Sequence, residues 1–237
     1  METTILNDIS FVFDSKNIES LKKHLKIRES GPSYGFFLAL IEEAGKIARP
    51  KGLYRPVYIE DRTKETIMVE SKRFTSSVLA AHLIHAERFF IFVATCGLEL
   101  DEWSRNQKNV LHAYWAEAIK EMALRSAIRT LRAHLDEKYH PGQTSIQAPG
   151  SLDNFPLSEQ RILFDLLGDT ENAVGVTLLP SLMMSPSHSV SGIIFPTTVN
   201  FESCMLCTRE NCPGRRAPYD QNLYERKYSQ TAGEINA

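Results

Sequence analysis

Residues 109–139 read NVLHAYWAEAIKEMALRSAIRTLRAHLDEKY, the most regular stretch of the chain. Val110, Leu111, Tyr114, Trp115, Ala118, Ile119, Met122, Ile128, Leu131 and Leu135 recur at three- and four-residue intervals, with polar residues between them. That spacing places one apolar stripe along an α-helix. Glu121 and Arg125 stand four residues apart, the acid first, which is the favourable order for a helical ion pair. His140-Pro141-Gly142 ends the helix, because Pro cannot continue it and Gly suits the residue after its cap. The long helix needs a partner surface, and the flanking segments supply strands.

Upstream, residues 17–27 (NIESLKKHLKI) carry Ile18, Leu21, Leu25 and Ile27 at helical spacing. Residues 32–48 follow with Phe36, Phe37, Leu40 and Ile41 on one side. Residues 53–61 (LYRPVYIED) and 65–71 (ETIMVES) are rich in β-branched and aromatic residues and are expected to pair as a hairpin. Residues 75–86 return to helix, and 88–97 (RFFIFVATCG) form the continuous apolar run of a buried strand. After the long helix come a strand entering a turn at 144–150 (TSIQAPG) and a helix at 156–168 closed by Gly168. Residues 173–179, 182–186 and 189–199 read as strands or strand ends. The order predicts an α+β fold of antiparallel strands with the dominant helix packed on one side. Residues 1–84 are expected to form a helical and hairpin part of one domain, 85–199 its core, and 200–237 a loop-like tail.

The 237 residues (26.9 kDa) are 43% hydrophobic and 24% charged, with a formal net charge of -2. These are the proportions of a soluble globular protein, and they carry no bulk bias toward nucleic acid or an anionic membrane. No run approaches the roughly 18 apolar residues of a spanning helix. The first residues lack a basic segment followed by an apolar one. A cytoplasmic protein without nucleic-acid or membrane partners is expected.

Residues 173–196, AVGVTLLPSLMMSPSHSVSGIIFP, contain Met184, Pro186, Ser189, Val190, Ser191 and Gly192. This Met-x-Pro-x-x-Ser-Val-Ser-Gly run closely resembles the hallmark of the reactivation domain of cobalamin-dependent methionine synthase. The order of the FVATCGLELDE stretch, the long helix, the Pro149-Gly150 turn and FPLSEQRILFDLL matches the same family. The resemblance covers roughly residues 85–198. It implies a twisted antiparallel sheet with helices around it, in a domain that binds S-adenosylmethionine and caps a corrinoid. Oxidised cob(II)alamin is there reduced by an electron donor and remethylated by S-adenosylmethionine. A chain of this length is similar to a stand-alone form, an accessory component of a methyltransferase rather than an enzyme alone.

By that resemblance Pro149, Gly150, Ser189, Val190, Ser191 and Gly192 face the cofactor or nucleotide; no catalytic residue is assigned. The family's arginine three residues before the Pro-Gly turn is here Ile146, and the tyrosine after the turn is Ser151. Ile146 cannot supply the charge-assisted bonds that a guanidinium gives a carboxylate. The family's tyrosine pair after the last strand is also missing.

Cys204, Cys207 and Cys212 fall within nine residues, and Pro213 follows the third. A Cys-x2-Cys step lets two thiolates converge on one metal, with the third a short loop away. Arg209, Arg215 and Arg216 would offset the negative charge of such a centre. An iron–sulfur cluster suits a domain that delivers an electron; structural zinc and plain thiols remain the alternatives. The fourth ligand would be Cys96, another side chain, or none, and Cys96 itself reads as a buried strand-end residue. With zinc, the chain reads instead as a non-catalytic corrinoid-protein-binding module. Another corrinoid protein, such as a demethylase, is the alternative partner. His82 and His85 are spaced for a helical ligand pair but read better as surface or packed histidines, and Met183 and Met184 read as core.

Overall fold

Phe89, Phe90, Ile91, Phe92, Val93 and Ala94 are all buried, so one strand is covered on both faces. The computed structural model describes residues 2–198, 201–209, 211–212, 215–224 and 228. Val199 of the last predicted strand, Asn200 at the start of the predicted tail, Pro213 and the end of the tail lie outside these residues. The first half of the chain comprises β1 (Thr4–Leu6), α1 (Ser15–Leu25), α2 (Tyr34–Ile47), β2 (Lys51–Tyr58), β3 (Asp61–Arg62), β4 (Thr66–Val69), β5 (Lys72–Thr75) and α3 (Ser77–His82). The second half comprises β6 (Arg88–Thr95), α4 (Leu98–Arg105), α5 (Val110–Tyr139), β7 (Thr144–Gln147), α6 (Gln160–Leu167), α7 (Thr170–Val174), β8 (Thr177–Leu178), β9 (Met184–Ser185) and β10 (Ser189–Pro196).

Among the described residues β6 is the middle of a five-stranded sheet ordered β1-β2-β6-β10-β7, antiparallel throughout. The α+β expectation holds: the sheet is antiparallel, and the thirty-residue α5 lies on one face. There Tyr54, Phe90, Phe92, Ala94 and Ile194 meet Trp115, Ile119, Ala123 and Leu131 of α5 and Phe37 of α2. The opposite face puts Leu53, Phe89, Ile91, Val93, Ile193 and Phe195 against α3, α6 and the small β3-β4-β5 sheet. Fully burying each such side chain is worth about 1.5–3 kcal/mol, which makes this double burial the main source of the sheet's stability.

Local chemistry sets the helix ends. The Asn109 side chain accepts from the amides of Leu111 and His112 at 2.9 and 3.3 Å, capping α5. His140 ends it in the left-handed region (φ 45), at the boundary expected from Pro141-Gly142. Asp14 and Ser76 cap α1 and α3 in the same way. Gly52 lets α5 approach β2, since a Cβ there would lie 3.1 Å from Leu131 Cδ1.

Several expectations are corrected. The segments 53–61 and 65–71 do not pair: β2 joins β1 and β6, and β4 joins β3 and β5. Leu53 and Val57 are buried on one face and Tyr54 on the other, so β2 belongs inside a sheet and not in a surface hairpin. Leu98–Arg105 is a helix (α4), and Ala173 and Val174 belong to α7 rather than to a strand. Phe36 is 61% exposed, and the buried stripe of α2 is Phe37, Leu40, Ile41 and Ala44. Val110, Leu111 and Tyr114 in the first turns of α5 are exposed, as is Met183. The tail is packed: Phe201 and Tyr228 are buried in the second core, and Ser145 Oγ donates to Phe201 O at 2.8 Å.

β6 turns into α4 at Gly97, whose φ is +95 and whose Cβ would fall 2.3 Å from Arg49 O. Gly142 has φ +73 but open space around it. Gly97→Ala is expected to cost on the order of 3 kcal/mol, backbone strain plus a clash, and Gly142→Ala about 1 kcal/mol of strain alone. Urea titration of both variants checks this; equal losses would contradict it.

Candidate functional site

The N-terminal half of β10 carries Ser189, Val190, Ser191 and Gly192 opposite Thr95, Ala94, Val93 and Phe92 of β6. Ser189 Oγ donates to Thr95 Oγ1 at 2.9 Å, and the Cys96 amide donates to His188 O at 3.0 Å. Val190 packs on the α5 face, while Ser191 is buried with its Oγ lacking a hydrogen-bond partner among the described residues. Gly192 is sterically required, because a Cβ would sit 2.9 Å from Gln147 O and 3.0 Å from Phe92 Cε1. Of this run, then, Ser191 and Gly192 are interior, and the preceding residues Ser187 and His188 are more accessible.

β7 runs antiparallel to β10 with Ile193 opposite Gln147. The chain leaving Gln147 for Pro149 and Gly150 therefore heads toward the Ser189 end of β10. Gly150 takes a left-handed φ of +77, and its amide donates to Phe155 O at 2.7 Å. Ile146 packs against the α5-side core, and Ser151 Oγ turns back onto Ala148 O at 2.5 Å. The two stretches singled out in the sequence thus share one end of the sheet.

At that end α1 and α5 enclose a cleft of about 500 Å³. Leu21 and His24 line it from α1, Glu117, Met122 and Arg129 from α5, and His188 from the loop entering β10. Under it lies a charge network that the sequence reading missed. Lys120 is 2% exposed and reaches Asp101 Oδ1 at 3.1 Å and Glu117 Oε1 at 2.7 Å. Arg105 also pairs with Asp101, at 3.1 Å, and Ser104 Oγ donates to Glu117 Oε1 at 3.0 Å. His188 Nδ1 is 3.6 Å from Glu117 Oε2.

Burial opposes the charge on Lys120, but its bonds to Glu117 and Asp101 outweigh that and hold its pKa above the ordinary lysine value. Burial likewise pushes Glu117 upward, and the bonds from Lys120 and Ser104 outweigh it, leaving its pKa lowered. His188 is lowered, first by burial and then by the Lys120 charge, so its ring is neutral near pH 7. Cys96 is wholly buried and its thiol is pushed up to about 12, mainly by burial. It is a core residue at the end of β6, as its sequence context suggests.

Cys204, Cys207 and Cys212 are half-buried free thiols on a loop beside the β7 edge, where Ser203 Oγ donates to Ile146 O at 3.3 Å. Arg215 Nη1 donates to Cys204 O at 2.9 Å and Ala217 O at 3.1 Å; Nη2 donates to Cys207 O at 3.0 Å and to Arg209 O. The Arg215 amide donates to Cys212 O at 3.0 Å. Arg216 pairs with Glu202 at 2.8 Å, and its amide lies 3.5 Å from Cys204 Sγ. Among the described residues no three His, Cys, Asp or Glu side chains stand together as a ready metal site. His82 bonds to Tyr228 OH at 2.7 Å and packs on Phe201, while His85 falls beyond the end of α3.

No family model matches the chain, and no curated protein matches it. A solved structure does: the crystal structure of the MetH reactivation domain bound to AdoHcy, at TM-score 0.63 and 15% identity. The match covers 85% of this chain and 81% of that one. The chain shares that domain's fold. No helix among the described residues is long and apolar enough to cross a membrane.

Lys120→Met is expected to cost about 3 kcal/mol at pH 7, because it leaves the buried Asp101 carboxylate facing an apolar side chain in place of its ammonium. The stability Glu117 gains from Lys120 is present above its ordinary pKa and is lost as pH falls through the lowered folded value. The gap between wild type and variant therefore narrows on acidification. Urea unfolding at neutral and acidic pH checks the direction; a gap that widens would contradict it.

Proposed function

We propose that this protein reactivates a corrinoid methyltransferase, with cobalamin-dependent methionine synthase the foremost partner. The observation that carries the reading is the fold shared with the MetH reactivation domain over most of both chains. It is supported by the convergence of the Ser-Val-Ser-Gly run, the Pro149-Gly150 turn and the α1–α5 cleft at one end of the sheet.

In this reading the Ser189 end of the sheet docks over the partner's corrinoid. The partner's oxidised cob(II)alamin is the substrate, returned to use by a one-electron reduction from an external donor and methylation by S-adenosylmethionine. The chain's own residues orient and enclose. Gly150 allows the turn, Gly192 allows β7 and β10 to close up, and Ser189 is fixed on Thr95. His188 presents a neutral ring at the cleft, suited to exchanging hydrogen bonds with uncharged amides.

The AdoHcy of the MetH domain extends to this chain as a ligand class, and we assign its seat to the same end of the sheet. Ile146 and Ser151 offer no charged group at the turn, so the charged partners are those of the cleft: Glu117, Arg125 and Arg129.

The experiment is reactivation of oxidised methionine synthase lacking its own reactivation domain, with a low-potential donor and S-adenosylmethionine supplied. The protein is expected to restore turnover, and Arg129→Ala to raise the S-adenosylmethionine concentration needed. No stimulation by the wild-type protein would overturn the reading.

A further inference from the structure

Residue 215 is bonded to the backbone of all three clustered cysteines: its guanidinium holds Cys204 O and Cys207 O, and its amide holds Cys212 O. One residue, through its side chain at two points and its amide at the third, thereby ties the path of the loop that carries the three thiols. Two further observations point to anionic sulfur in this loop, which thiolate ligands of a metal centre would supply. Arg215 Nε is buried and has no hydrogen-bond partner among the described residues, at a cost of about 1–3 kcal/mol for an orphaned polar group. The Arg216 amide is already directed at Cys204 Sγ at 3.5 Å, a contact that strengthens when the sulfur is an anionic ligand.

We infer that Cys204, Cys207 and Cys212 form a thiolate site for a soft metal, a zinc ion or an iron–sulfur cluster, and that Arg215 is its positioning residue. Thiolate is the shared chemistry of both occupants. Three thiolates leave a net negative charge on either centre, which the adjacent guanidinium offsets. The thiols are not gathered around a point among the described residues, so binding has to turn the side chains inward while the backbone stays tied. Each thiol releases its proton to solvent as it ligates, so affinity rises with pH. The inference stands independently of the corrinoid reading, since it rests on this loop alone.

The test uses the full chain purified without oxygen. Iron, sulfide and zinc are measured, and the metal-free protein is titrated with Co(II) while sulfur-to-metal charge-transfer absorption is followed. The expected result is near-stoichiometric zinc, or iron with sulfide, the two occupants being told apart by content and colour. Cys204→Ser, which keeps Arg215, is expected to abolish the charge-transfer band or weaken Co(II) binding. Arg215→Lys keeps the charge but loses the fork, and is expected to lower affinity at least about tenfold. Circular dichroism on the metal-free variants separates loss of ligation from loss of fold. Wild-type protein that takes up no metal, or that binds Co(II) no better than Cys204→Ser, overturns the site. Unchanged affinity in folded Arg215→Lys overturns the role of Arg215.

Discussion

Burial of β6 on both faces is the constraint from which the other layers follow. A strand reading FFIFVA has no side that can meet water, so each face of the sheet requires its own cover. The helical layer of α1, α2, α4 and α5 closes one face, and α3, α6, the small sheet and the tail close the other. Because β2 and β10 flank β6, they inherit the double burial, and glycines appear where backbones or helices must come close. Gly52 admits Leu131 and Gly192 admits Phe92 and Gln147. The proposed site falls at the end of the sheet, where β6 stops at Cys96-Gly97 and loops replace paired strands.

The parts of the fold that were legible in the sequence are those with long or strict patterns. α5 announces itself by period and cap, and β6 by an unbroken apolar run. Strand partners were less legible, because pairing depends on which strand is interior. β2 and β4 are neighbours along the chain, but the burial of β2 on both faces sends it to β6. α4 escaped notice because LELDEWSR is short and mostly polar, yet it buries Leu100, Trp103 and Asp101. The tail reads as loop by composition, yet Phe201 and Tyr228 are buried and Met205, Leu206 and Leu223 pack against the same core.

The site was legible as a pattern more than as chemistry. The Ser-Val-Ser-Gly run and the Pro-Gly turn were singled out, and β10 and β7 carry them to one end of the sheet. That Ser191 and Gly192 are interior, with His188 facing the cleft, depends on strand alternation that the sequence alone does not fix. Lys120 is one of the polar residues between the apolar positions of α5, yet Ala116, Ala123 and Ala127 stand at helical spacing from it and are buried with it. Its buried ion partner, Asp101, comes from α4, the element that the sequence reading lacked. The arginines of the tail were read as charge that would offset a thiolate centre; Arg215 in addition binds backbone carbonyls of the loop.

In the proposed reading one end of the sheet is the working face, with α5 and the buried Lys120–Asp101 pair beneath it. Hydrogen–deuterium exchange of the full chain, free and mixed with a methionine synthase core carrying oxidised corrinoid, tests that claim most directly. Protection is predicted at Ser185–His188, at 151–154 and along the first turns of α5, with no change at Glu87–Phe89 or Gln143–Ser145 at the opposite end. Protection confined to that opposite end, or none at saturating partner, would contradict it.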